Sequence, residues 1–172
     1  RVVVASDNRD EARLAAEYLI GRGCRRLLFL GDAGHGEAED RLAGFEARLA
    51  GSGAAIVANI PCAFTVAAGR EAVAPLLDGA ELGFDGIFAS SDAIAMGAIE
   101  ALQARGHAVP GAVSVVGFDD SPGAALFSPR LTSIRQDWGV GGELLAQKVL
   151  DMVAGKAVAS RAMPVTLIIR ES

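Results

Sequence analysis

The stretch Val109-Pro-Gly-Ala-Val-Ser-Val-Val-Gly-Phe-Asp-Asp120 holds a short β-branched run, Val113 to Val116, that stops at Gly117 and leads into two carboxylates. In open α/β sheets ligands sit beyond the carboxyl ends of the strands, where loops converge and helix N-termini point at them. A carboxylate placed there accepts two hydrogen bonds from a polyol or an amine. The plainer reading is that Asp119 caps the turn that follows.

Other strand ends repeat the pattern. Ser6-Asp7, Gly31-Asp32 and Ser91-Asp92 all follow apolar runs, and Gln136 follows the run Leu131–Ile134. In a parallel sheet these ends share one rim, so side chains distant in sequence converge. Arg41, near the start of its helix, is the natural cation for that rim, because its rigid fork of donors clamps an oxygen-rich ligand; alternatively it is a surface arginine. Phe64, after Pro61-Cys62, offers a flat apolar wall. An apolar face with a few convergent polar groups is the usual recipe for a small-molecule pocket. Asp92, ahead of Ala93-Ile-Ala, reads most simply as a helix N-cap, and Asp7 and Asp10 suit the same role for the first helix.

Several chemistries lack their residues. The loop 31–36 carries three glycines but neither GxGxxG nor GxxxxGK[ST], so it reads as a pocket-rim loop and not a phosphate cradle. His35 and His107 have no partners at metal-ligand spacing, so neither a metal nor another cofactor is expected. With no Gly-x-Ser-x-Gly elbow and no histidine at a strand end, binding without catalysis fits better than an enzyme.

The elements that must position these groups alternate regularly. Strands are expected at Val2–Ala5, Leu27–Leu30, Ala55–Ile60, Gly86–Ala89, Val113–Val116, Leu131–Ile134 and Val165–Ile169. Helices are expected at Arg9–Ile20, Glu37–Leu49, Val66–Leu77, Ala93–Arg105 and Val140–Val153. Strands with little polar alternation, separated by helices, predict an α/β fold: a doubly wound, three-layer parallel sheet covered on both faces. Ser121–Arg130 and Gly155–Pro164 read as longer connections.

At 172 residues the chain suits one compact domain, burying roughly 70% of its unfolded surface. The net charge of −5 argues against these residues gripping nucleic acid. Arg25-Arg26, the only basic doublet, reads as a strand flank. Cys24 and Cys62 form no patterned pair and read as buried thiols. No apolar run reaches the roughly 18 residues a membrane span needs. The opening Arg1-Val-Val-Val-Ala starts mid-strand, which suggests a piece of a longer chain.

The chain resembles the effector-binding core of the LacI/GalR family of bacterial repressors, itself similar to a type I periplasmic binding protein. The matching segments are Asp7-Asn-Arg with Leu14-Ala-Ala-Glu-Tyr-Leu19, Gly23-Cys-Arg-Arg-Leu27, Arg41-Leu-Ala-Gly-Phe45, and Ile87-Phe-Ala-Ser-Ser-Asp-Ala-Ile-Ala-Met-Gly97. Then come Val109-Pro through Val116-Gly-Phe-Asp-Asp120, Leu131-Thr-Ser-Ile-Arg-Gln136 and Arg170-Glu-Ser172. Their joint order, over nearly the whole chain, carries the resemblance.

The resemblance implies a two-lobed clamp crossed three times by the chain. Residues 7–136 with 161–172 would form the effector-binding lobe, and 1–6 with 137–160 a remnant of the second. A DNA-binding domain would lie upstream. By position, Arg41, Asp119 and Gln136 match effector-contacting residues, Phe64 the stacking aromatic, and Asp10 a weaker match. Ser91 stands where relatives often carry Asn, and its shorter reach bears on which ligand fits. The resemblance implies a cytoplasmic homodimer that takes a sugar-like effector and operator DNA, with Ala93–Arg105 and Pro122–Pro129 as candidate dimer surfaces. A secreted sugar-binding protein of a transport system is the alternative, and a purine or nucleoside suits the same rim.

Overall fold

In the computed structural model, residues 4–5, 7–31, 34, 36–79 and 81–172 are described. The expected contributions of Val2, Ser6, Asp32 and His35 lie outside them. The elements in chain order are β1 (Val4–Ala5), α1 (Asn8–Gly21), β2 (Arg26–Leu30), α2 (Gly36–Leu49), β3 (Ala55–Ile60), α3 (Val66–Val73), β4 (Gly86–Ala89) and α4 (Asp92–Ala104). They continue as β5 (Ser114–Phe118), β6 (Thr132–Gln136), α5 (Trp138–Val153), β7 (Arg161–Ala162) and β8 (Val165–Ile168).

Six strands form one sheet in the order β3-β2-β4-β5-β6-β8, parallel except for β8. Because side chains alternate across a strand, β2 feeds two cores at once. Leu27 and Phe29 join Ala12, Ala15, Leu19 and Phe45 under α1 and α2. Leu28 and Leu30 join Val73, Ile94, Ile99 and Leu102 under α3 and α4. The result is the expected α/β/α sandwich. Phe29, Phe45 and Phe88 pack with ring centroids 5.0 to 6.3 Å apart on the first side.

The helix pairs on each face approach closely because glycine lets them. A Cβ on Gly97 would lie 2.0 Å from the Val66 carbonyl oxygen, and one on Gly69 2.2 Å from that of Ile94. Gly44 stands in the same relation to Arg9, at 2.1 Å.

Three differences from the sequence expectation matter for the site. The last strand runs antiparallel, Gln136 facing Val165. After β6 no helix carries the chain back beneath the sheet; α5 and β7 intervene at the rim, so β8 must descend from there. β6 itself extends to Gln136, which puts that amide inside the strand. The third expected helix gives way to a 3₁₀ turn at Ala74–Leu77, where Pro75 cannot donate to the helix ladder.

The unpredicted β7 pairs with β1 in a separate two-stranded sheet. There α5 buries only Gly141 and Lys148, while Trp138, Leu145, Val149, Leu150, Met152 and Val153 are exposed. Cys24 is buried as expected; Cys62 is only half-buried. The Arg25-Arg26 doublet flanks β2, its two backbone N–H groups donating to the Asp85 carboxylate at 2.8 Å each.

Candidate functional site

β5 delivers Phe118 to the rim, and the chain then turns through Asp119 at φ 101° and Asp120 at φ 49°. Two successive non-glycine residues at positive φ are costly unless their surroundings hold them. Here three consecutive amides are tied: the Asp119 N–H donates to the Ile134 carbonyl (2.9 Å), the Asp120 N–H to Ser133 Oγ (3.0 Å), and the Ser121 N–H to Asp92 Oδ2 (2.6 Å). The Asp120 carboxylate is buried between Arg170, at 2.7 Å, and Arg135.

The neighbouring Asp119 has a different fate. It is exposed, and among the described residues its carboxylate accepts no hydrogen bond, so it is not the cap of a following turn. Loss of water to the surrounding rim pushes its carboxyl up to about 6, against the attraction of Arg41; Asp92 and Glu37 push it the same way. It is an acceptor with no internal donor.

Arg41, from the second turn of α2, is only 5% exposed, which removes the surface-arginine alternative. Its Nε donates to Asn8 Oδ1 (2.9 Å), one Nη to the Ser90 carbonyl (2.7 Å), and the other Nη lies 3.7 Å from Glu37. The guanidinium carbon sits 3.6 Å from the centre of the Phe118 ring. Burial draws this guanidinium below its ordinary pKa, while Asp119, Glu37 and Glu11 hold it up. One side chain therefore joins the ends of β4 and β5 to the starts of α1 and α2.

Ser91, not Asp92, is the N-cap of α4: its Oγ accepts the Ile94 N–H at 3.3 Å. Asp92 is the first helical residue, because its carboxylate is drawn sideways to Ser133 (2.5 Å) and to the Ser121 amide. Burial pushes its carboxyl up, opposed by those two donors. Gly117 makes room, since a Cβ there would lie 2.4 Å from Asp92 Oδ1. Asp7 is the N-cap of α1, accepting from the Asp10 amide.

Gln136 is buried at the end of β6 and donates to Glu11 of α1 at 3.2 Å. Phe64 is 37% exposed in the loop between β3 and Thr65, the N-cap of α3. Asp10 is exposed in the first turn of α1 and lines a hollow of about 260 Å³ with Arg9, Arg13, Gly44 and Arg48. An open hollow of about 580 Å³ at Leu49–Ile56 lies at the other end of β3, away from the rim.

The structure thus brings Arg41, Ser91, Asp119 and Gln136 to the carboxyl ends of β4, β5 and β6. Residue patterns alone missed the groups that hold them: Asn8, Phe118, Ser133 and Arg170. The signal available was position, because Asn8 adjoins Asp7 and Phe118 adjoins Asp119. Among the described residues no group of three or more His, Cys, Asp or Glu is arranged to hold a metal ion. No helix among them is long and apolar enough to cross a membrane.

The sequence matches the periplasmic binding protein-like domain over residues 16–172. It is 32% identical to the ribose operon repressor of Halalkalibacterium halodurans, covering 99% of this chain and 52% of that protein. Among solved structures, a LacI family transcriptional regulator from Enterococcus faecium with bound ribose superposes with a TM-score of 0.87 at 26% identity, over 99% of this chain and 65% of that one. A dimeric Lac repressor superposes with a TM-score of 0.89 at 27% identity, over 96% and 62%. The chain spans about half the length of the curated relatives it matches. The chain belongs to the periplasmic binding protein-like domain family, in the form carried by LacI/GalR-family regulators.

Proposed function

We propose that this chain is the effector-sensing core of a DNA-binding transcriptional repressor, and that its rim binds a sugar or sugar derivative without turning it over. The observation that carries this reading is the Asp119 carboxylate, open to solvent and unpartnered, beside the buried and rigidly held guanidinium of Arg41. Sugar hydroxyls both donate and accept, so a fixed acceptor and a fixed donor on one rim suit them.

In this reading Arg41, Asp119 and Gln136 take hydroxyl groups, Ser91 lines the same rim, Phe64 stacks on an apolar sugar face, and Asp10 contributes at the margin. Residues 7–136 and 163–172 form this lobe, whereas β7, paired with β1, goes with the second. The segments 1–6 and 137–162 belong to that second lobe, which would cover the exposed apolar side chains of α5. Closure of the lobes around the effector would shift operator affinity, a coupling typically worth about 1–3 kcal/mol. The protein acts in the cytoplasm as a homodimer. Its dimer surface includes α4 and the connection 122–129, where Leu126 is 86% exposed. The named relatives are operon repressors, which favours a sensor over a transport receptor.

Calorimetric titration with D-ribose, D-galactose, lactose, gluconate and adenosine tests this. One of them is expected to bind, with Asp119→Asn weakening it about tenfold or more and the ligand recovered chemically unchanged. Recovery of a converted product, or binding indifferent to Asp119→Asn, overturns it.

A further inference from the structure

We infer that Ser133 and Asp92 are positioning residues for the effector site, holding the Asp119-Asp120 turn at positive φ and so fixing where the Asp119 carboxylate stands. The inference rests on the reading of Asp119 as an effector contact.

Asp119 and Asp120 occupy backbone conformations that L-residues with side chains rarely adopt. Such residues persist when several independent constraints hold them. Only one of the three amides tied here, that of Asp119, bonds to backbone, the Ile134 carbonyl of β6. The next two depend on side chains that form a single relay. Ser133 is fully buried; its Oγ accepts the Asp120 N–H at 3.0 Å and donates to Asp92 Oδ1 at 2.5 Å. The other Asp92 oxygen accepts the Ser121 N–H at 2.6 Å. Asp92, 2% exposed, is itself fixed as the first residue of α4 and lies against Gly117, where any side chain would displace it.

Removing the hydroxyl leaves the Asp120 amide and one carboxylate oxygen without partners, and the turn then relaxes toward negative φ. That relaxation rotates the Asp119 side chain away from Arg41. Asp120 supports the same turn through Arg170 and Arg135, but those contacts act on its side chain and leave the amides free. The relay also links the effector rim to the first turn of α4 through one hydroxyl group.

The test uses Ser133→Ala and Ser133→Thr, the second keeping the hydroxyl. The amide-to-Hα coupling constants of residues 119 and 120 report φ without any ligand, and the sugar panel above reports affinity. We expect Ser133→Ala to move both couplings toward extended values and to weaken the bound sugar about tenfold, with Ser133→Thr restoring both. Unchanged couplings overturn the inference, as do altered couplings with unchanged affinity for a sugar that Asp119→Asn abolishes. Altered couplings alongside binding indifferent to Asp119→Asn sink the effector-site reading instead, while the held turn stands. Should Ser133→Ala fail to fold, Asp92→Asn carries the test. It keeps the side-chain shape but loses one acceptor, and unchanged couplings in it count equally against the inference.

Discussion

The guanidinium carbon of Arg41 lies 3.6 Å from the centre of the Phe118 ring, one residue before Asp119. A cation on the negative face of an aromatic ring is stabilised by about 0.5–2 kcal/mol, more as water is excluded. The ring thus offsets part of the desolvation that burial imposes on the charge, and Asn8 and Ser90 supply the directed bonds.

Phe118→Leu keeps an apolar side chain but removes the ring face and leaves a void. It should lower unfolding free energy by about 1–3 kcal/mol in urea titrations. Arg41→Lys, which retains charge but cannot form the fork, should cost a similar amount and also weaken effector binding. Wild-type stability in both variants would show the stacking to be energetically idle.

The Asp119 carboxyl, raised to about 6 from an ordinary 3.8, sets a pH dependence. A folded-state value above the unfolded one means the folded protein holds this proton more tightly. Its contribution to stability is therefore fully present below about 3.8 and is lost as pH rises through about 6. Binding follows the opposite course, because the ionised carboxylate is the acceptor. Affinity for a neutral sugar should fall as pH drops from 7 to 5, and Asp119→Asn should flatten that profile. A wild-type profile flat across this interval would count against Asp119 as the contact.

Gly97→Ala places a methyl group 2.0 Å from a backbone carbonyl of α3 that cannot rotate away. The two helices must separate, at a cost of about 1–3 kcal/mol or more. Thermal denaturation should show a lowered midpoint, whereas Gly142→Ala, with open space around it, should not lower it through any steric clash.

Ser172 is buried, donates to the Val115 carbonyl at 2.7 Å and accepts the Thr132 N–H at 2.8 Å. Ser172→Ala leaves both backbone groups unpaired between β5 and β6. We expect a loss of about 1–3 kcal/mol and faster hydrogen exchange at Thr132.

Much of the architecture was legible because the signals are local. The apolar runs of β2 to β5 and the intervening helix-length segments announce a parallel α/β/α sandwich. Ala55–Ile60 and Gly86–Ala89 have the expected bounds, since tight turns and a proline punctuate them. Strand polarity at the edge was not legible. Val165–Ile168 has the same composition whether it runs up or down, and only the route of α5 and β7 across the rim decides it. The set of strand-end groups could be read from residue type and position, but their partners could not. Asp92 reads as a cap until the distant Ser133 and Ser121 claim its carboxylate and leave the cap to Ser91. Arg41 reads equally as surface or site until Asn8, Ser90 and Phe118 enclose it. Residue order determines which segments bury their faces. The partner of a charge depends on which chain ends the finished sheet sets side by side, and that is a property of the tertiary structure alone.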